Sequence, residues 1–525
     1  MKLGCNYWAS HAGLKMWSIW DSSAVLEDLD LLREWGIKVI RIFPIWPEFQ
    51  VLEPFFGGGG ELIEIHGGMS SEAISKIDFL IQAAADRDIE VIVSIINGWM
   101  SGKLFVPPVF YNRNVLTDSE AIRYQTIYAG ELVNALKSHG NIIGWDLGNE
   151  CNVMGEVDDH NQAWLWMNSI YRAIKNSDPS SVVYAGMHGL SIDGKWRIKD
   201  VAENCDVLTT HPYPLFTPHC GKDPLDETRS IYHSIAETRY YSGISGKPCI
   251  IEEIGSLGPS VASESMTASY LSKVIRLAAM SEIPMILWWC AFDQAFDYPP
   301  YETIALEREL GIFKRDRKPK AIAHIFKSFG RSAASEKRSR KAICILSNDQ
   351  DNWKTAYGTY IISRDSGLDV VFRWQGDDLP ESDIYLLPCI TGFRVINRKR
   401  WVQLVDRVRQ GATLYISYNG GFLSEFSEVT GICIDSRMES CERIELENDM
   451  VINSGTKLVI TCISGDILIY DKEKKPFMIE NRLGNGRVLF CRGPVEMNCV
   501  DSDKYRTGDY IDIYRNIYKD KEKFS

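Results

Sequence analysis

Over residues 1–330, short apolar runs alternate eight times with longer amphipathic stretches. The runs fall at 3–7, 39–43, 91–95, 142–150, 182–185, 207–210, 248–253 and 285–289. They are short and rich in Val, Ile and Leu, as buried parallel strands require. Helical patterns fill 22–35, 75–87, 118–138, 160–176, 226–242, 263–280 and 321–329. Asp21 or Ser22 can cap the first helix, and Gly36 can end it. Eight strands alternating with helices predict an α/β fold of the (β/α)8 TIM-barrel type. An open doubly wound sheet is the competing arrangement. It is usually announced by a glycine-rich phosphate turn after the first strand, and here Gly4 stands alone.

A chain of 525 residues is too long for one core. The barrel is expected over 1–330, and the polar, basic stretch 331–340 reads as a linker. The pattern then restarts. Residues 341–435 alternate strand and helix as a small three-layer, flavodoxin-like α/β domain. Residues 436–525 show short strands between turns such as Asn453-Ser454-Gly455 and Gly484-Asn485-Gly486, which predicts a small β-sandwich. The net charge of −12 argues against nucleic acid or an anionic membrane surface as the main partner. No apolar run approaches the ~20 residues of a membrane span. The first residues carry no apolar signal core, and the 13 cysteines lack metal-ligand spacing. A cytoplasmic protein with reduced thiols, no cofactor and no metal is expected. The 15 tryptophans fill cores in the simplest reading; the sharper one is stacking on the apolar face of a sugar.

In such a barrel every strand opens at its C-terminal end onto one mouth. The residues expected there are Arg41, Asn97, Trp99, Asn149, Glu150, His211, Tyr213, Glu253 and Trp288 or Trp289. Two acids dominate the set. Glu150 ends the run Ile142-Ile143-Gly144-Trp145-Asp146-Leu147-Gly148-Asn149, and Glu253 ends Pro248-Cys249-Ile250-Ile251-Glu252. They are 103 residues apart, so only a closed fold could bring them together. Glu252 competes with Glu253. Neighbouring strand residues point to opposite faces, so only one of the two is expected at the mouth. Two carboxyls without a metal cluster or phosphate nest suit glycoside cleavage. One delivers a proton to the leaving oxygen while the other, ionised, meets the sugar's anomeric carbon.

Asp146-Leu147-Gly148-Asn149-Glu150 resembles the Asn-Glu motif of retaining glycoside hydrolases of clan A, and of family 5 in particular. Ile251-Glu252-Glu253-Ile254-Gly255 resembles the matching nucleophile strand. The resemblance covers roughly residues 1–330. It implies Glu150 as general acid/base and Glu253 as nucleophile. It implies Arg41 as the residue that keeps the nucleophile ionised and Asn149 as a ligand of the sugar 2-hydroxyl. His211 and Tyr213 resemble the strand-six pair, and a strand-eight Trp the floor of the sugar subsite. Asn97 and Trp99 are further candidate sugar contacts. Residues 341–525 are similar in layout to the second and third domains of family 42 β-galactosidases, where the α/β module supports trimers. The whole arrangement is also similar to clan A families acting on β-mannosides.

The expected function is therefore retaining β-glycoside hydrolysis by double displacement, with a carbohydrate as partner, β-mannosides slightly favoured and a homo-oligomer possible in principle. β-Galactoside or β-glucoside cleavage is the alternative within the clan. A catalytically silent carbohydrate-binding or assembly protein is the alternative outside it.

Overall fold

The computed structural model describes residues 1–294, 297–304, 306–329, 340–503, 505, 508 and 510–518. It divides into two compact units, Met1–Thr217 with Asp223–Ser335, and Pro218–Lys222 with Glu336–Ser525.

The first unit holds the eight expected strands: β1 Lys2–Asn6, β2 Val39–Ile42, β3 Glu90–Ile96, β4 Ile142–Gly148, β5 Val183–Tyr184, β6 Leu208–Thr210, β7 Cys249–Ile254 and β8 Met285–Trp288. They form one parallel sheet in the order β6-β7-β8-β1-β2-β3-β4-β5. The bridge between Tyr184 and Val207 brings β5 back to the start of β6 and nearly closes the barrel. The helices sit where amphipathic spacing put them. Ser22–Glu34 is capped by the Asp21 carboxylate, Ser71–Ala85 by Ser70, Ser119–Leu136 by Asp118 and His160–Ser177 by Asp159. Each cap satisfies backbone N–H groups that the first helical turn leaves open.

A hairpin and a short helix are among the elements that were not expected. Residues around the glycine run 57–60 form an antiparallel hairpin, Gln50–Phe56 with Leu62–Met69, rather than an open loop. A short helix, Ile198–Glu203, follows β5.

The barrel interior is layered. Val39, Ile92, Tyr184, Ile250, Met285 and Leu287, drawn from five strands, form one apolar cluster. Two residues further along β2, β3 and β7 the same faces carry Arg41, Ser94 and Glu252, all fully buried. The strand period of two thus sets a polar layer on an apolar floor.

In the second unit a seven-stranded sheet runs Leu368–Trp374, Arg340–Leu346, Ile384–Ile390, Thr413–Tyr418, Gly486–Cys491, Pro476–Leu483, Asp466–Tyr470. The first five are parallel and the last two antiparallel. Helices Asn352–Asp365 and Arg398–Gln410 fit the expected α/β layering. Two antiparallel ribbons add the β-rich part: Ile432–Met438 with Lys457–Cys462, and Glu442–Glu445 with Val451–Ser454. Strands from both sides of residue 436 thus share one sheet. The expected linker lies outside the described residues except for Arg340, which begins a strand. Among the described residues no helix is long and apolar enough to cross a membrane.

Candidate active site

Arg41 is the hub of the polar layer. Its side chain is wholly buried on β2 and sends Nε and Nη2 to Asp146 Oδ2 at 2.9 and 2.5 Å. Nη1 donates to Glu253 Oε1 at 3.0 Å, to Asn149 Oδ1 at 3.1 Å and to Asn6 Oδ1 at 3.3 Å. Nη2 also lies 3.4 Å from Glu252 Oε2. A planar guanidinium can serve several strands at once in this way, because its donors diverge in a fixed fork. Asp146 and Asn6 were not singled out in the sequence; they steady Arg41 from β4 and β1.

Glu150 sits two residues beyond the end of β4, where the chain turns. Its backbone is left-handed (φ 48°, ψ 39°) and its N–H donates to Gly186 O at 2.8 Å. Its Oε1 meets two imidazoles. His211 Nδ1 lies at 2.9 Å and His188 Nε2 at 3.3 Å. The two rings stack with centroids 5.5 Å apart and planes 10° from parallel. Tyr213 donates its hydroxyl to Glu253 Oε2 at 3.2 Å. One oxygen each of Glu150 and Glu253, with a ring nitrogen of His211, lie within 4.8 Å of one another. Those three atoms could by spacing alone hold an ion, although the imidazole already bonds the Glu150 carboxyl.

Only one of Glu252 and Glu253 was expected to face inward. Both do. Ile251 pairs with Ile286 and Ile254 with Trp288, so β7 carries one residue more than β8 over this stretch. Such a bulge breaks the strict alternation. Glu252 Oε2 meets His211 Nε2 at 3.3 Å on the inner side, while Glu253 stands further out.

Of the two tryptophans, Trp289 continues the inward face of Met285 and Leu287. It packs edge-on against Phe43, which also lies under the Arg41 guanidinium and stacks with Trp8. Its indole N–H donates to Glu307 Oε2 at 3.0 Å. Trp288 points the other way and donates to Leu310 O at 3.2 Å. Asn149 spans the site's edge, its Nδ2 donating to the Trp99 carbonyl at 3.0 Å. Trp99 therefore joins through its main chain. Asn97 does not join the group. Buried completely, it donates to Pro44 O and Ser94 O and accepts from the Ser94 hydroxyl, so its amide ties loops together instead of offering itself to a sugar.

Charge follows from this geometry. Burial opposes a charged His211, but Glu253, Glu150 and Glu252 outweigh it and raise the ring to about 10. Burial would also raise Glu150, yet His188, His211 and Arg41 hold it near 2. Glu253 goes the other way: burial pushes it to about 7, with Glu150 and Glu252 adding and His211 and Arg41 opposing. Burial likewise lifts Asp146, and Glu307 on the rim, to about 7. In the open cleft the pair's electrostatics thus favour the proton on Glu253 over Glu150.

His188 and Glu307 are the site's other neighbours that the sequence did not reveal. A lone histidine in Gly186-Met187-His188-Gly189 has no periodic signature. Only the flanking glycines hint at a tight turn there.

Known proteins resemble this chain in sequence and in fold. The cellulase model of glycosyl hydrolase family 5 matches residues 6–293. Mannan endo-1,4-beta-mannosidase A of Aspergillus aculeatus is 24% identical over 258 residues, which is 45% of this chain and 63% of that protein. The chain thus spans less than two thirds of the length of the curated relatives it matches. Among solved structures, an exo-beta-1,4-mannosidase from Opitutaceae bacterium strain TAV5 superposes with a TM-score of 0.80 at 21% identity, over 99% of this chain and 96% of that one. A β-galactosidase from Bacillus circulans sp. alkalophilus gives 0.69 at 12% identity, over 99% and 89%. These two share the fold, barrel and C-terminal layers together. With the family model covering more than half of its length, the chain belongs to glycosyl hydrolase family 5.

Proposed function

We propose that the protein is a retaining β-glycosidase that acts on β-mannosides. The observation that carries this is the approach of the two carboxyls, with oxygens inside 4.8 Å. Retaining enzymes hold theirs roughly 5–5.5 Å apart, whereas inverting enzymes leave roughly 6.5–9.5 Å for a water. Glu253 attacks the anomeric carbon, with Arg41 and the Tyr213 hydroxyl on its two oxygens favouring the ionised form. Glu150 protonates the leaving oxygen. In the open cleft the pair's proton rests on the wrong partner for this step. A docked sugar strips water from Glu150, whose side chain is 20% exposed, and that dehydration raises its affinity for a proton. The pair's proton then moves from Glu253 to Glu150, which leaves Glu253 bare. In the second half-reaction Glu150 takes a proton from water, and the hydroxide displaces Glu253 from the sugar. Asn149 contacts the 2-hydroxyl and Trp289 floors the subsite. Trp99 borders it through the carbonyl that anchors Asn149.

The mannoside preference draws its support from the mannan mannosidase and exo-mannosidase among the relatives. The same reading puts the chain in the reducing cytoplasm, which fits buried thiols such as Cys5, Cys151 and Cys205. It also makes the chain a homo-oligomer through its C-terminal unit, checked by light scattering.

A panel of aryl β-mannoside, β-galactoside and β-glucoside tests the activity. Turnover of the mannoside with β-mannose as first product is expected; no turnover of any member refutes the reading. E253A should abolish turnover, and azide should restore it as the α-glycosyl azide. If E252A behaves this way instead, the nucleophile is Glu252.

A further inference from the structure

Two imidazoles meet one oxygen of Glu150, and they differ in exposure. His211 is sealed inside the barrel, its other nitrogen on Glu252. His188 has a side chain 31% exposed and stacks over the outer face of His211. Both stand at Oε1, and among the described residues no hydrogen bond reaches Oε2. The loop that carries His188 is built into the site. Gly186 O accepts the Glu150 N–H at 2.8 Å, and Met187 exchanges two hydrogen bonds of 3.0 Å with Thr209 Oγ1. Leu190 N–H donates to the Tyr241 hydroxyl at 2.7 Å, and Asn152 Nδ2 donates to the His188 carbonyl at 2.9 Å. A histidine held this firmly against the acid, yet open to the cleft, does more than fill space.

We infer that His188 is a positioning residue of the acid–base arm: with His211 it fixes Oε1 of Glu150, so that Oε2 is the atom that hands the proton to the leaving group. The groups facing it are Glu150 and His211, with Glu253 and Glu252 behind them. When the carboxyl gives up its proton, no covalent bond to His188 changes. The imidazole instead holds the new carboxylate from the solvent side, where His211 alone reaches only from within. This deepens the glycosidase reading and rests on it.

The test separates acid assistance from general integrity by the leaving group. A sugar leaving group needs the proton, whereas 2,4-dinitrophenolate departs without it. For H188A, kcat/KM on a β-1,4-linked disaccharide should fall by about 10- to 100-fold, a tenth or less of what a full general acid supplies. On the dinitrophenyl β-glycoside its kcat/KM should stay within about threefold of wild type, since that leaving group departs without a proton. H188Q keeps a donor at the same reach and should recover part of the loss. Equal losses on both substrates, no loss on either, or an H188Q no better than H188A would each overturn the inference. If wild type cleaves neither substrate, it is the glycosidase reading that fails.

Discussion

His211 shows how a single side chain sets the working range of the site. It faces Glu150 and Glu253 through Nδ1 and Glu252 through Nε2, and its cationic form is favoured by all three. Loss of the pair's last proton near 7 leaves no acid for the first step, so kcat/KM should fall above about pH 7. His211 lowers both carboxyls, so H211N removes a positive neighbour and must raise them. The alkaline limb of the profile should therefore shift to higher pH while the maximum drops. A limb that stays put, measured with one substrate across the range, would mean that some other group titrates there. Arg41 and the acid pair were legible as residues, because strand ends in a barrel share one mouth. The residues that steady Arg41 were not. Nothing in the local sequence around Asp146 or Asn6 says that each points inward at a guanidinium, since inward and outward faces are assigned only once the strands have neighbours.

At the scale of elements, the loop after β5 is tightly constrained. Gly186 has φ of 65°, and a Cβ there would come within 1.8 Å of the Gly148 carbonyl oxygen and 2.0 Å of Asp146 Oδ1. The same residue accepts the Glu150 N–H. G186A should lower stability by roughly 2–4 kcal/mol, from left-handed strain plus overpacking. It should also lower turnover of a disaccharide, because the loop that bears His188 has to move. Urea denaturation and steady-state kinetics would show both; a neutral G186A would mean the loop yields freely. The regular elements were readable in advance because each carries its own period, with caps at Asp21 and Asp118 marking helix starts. The elements that escaped lack one. Glycines 57–60 form the tip of a hairpin whose arms mix polar and apolar residues, and the bulge in β7 depends on pairing with β8, not on any feature of Cys249–Ile254 alone.

For the barrel unit as a whole, the loops at the mouth bear on whether the proposed site is a pocket or a groove. The loop after β8 crosses to two other loops. The Tyr298 hydroxyl donates to the Ala12 carbonyl at 3.2 Å, and Lys15 lies over the Tyr298 ring at 4.1 Å. Further along, the Tyr301 hydroxyl donates to the Met100 carbonyl at 2.7 Å, and Glu307 holds the Trp289 indole. The loops after β1, β3 and β8 are thereby tied together beside Trp289. An open groove would need them apart, so that a chain could continue past the subsite; a pocket needs them joined. On the proposed reading, hydrolysis in such a pocket would remove one sugar at a time from a chain end. With a reducing-end-labelled β-1,4-mannohexaose, the labelled products should appear in order, each one residue shorter than the last. Labelled dimer and trimer in the first minutes would mean that the chain threads through the barrel mouth, and that the Tyr298 and Tyr301 ties open in solution. Weakening those ties with the double change Y298F/Y301F should leave cleavage of an aryl mannoside nearly untouched while admitting internal cuts, because neither hydroxyl reaches the two carboxyls.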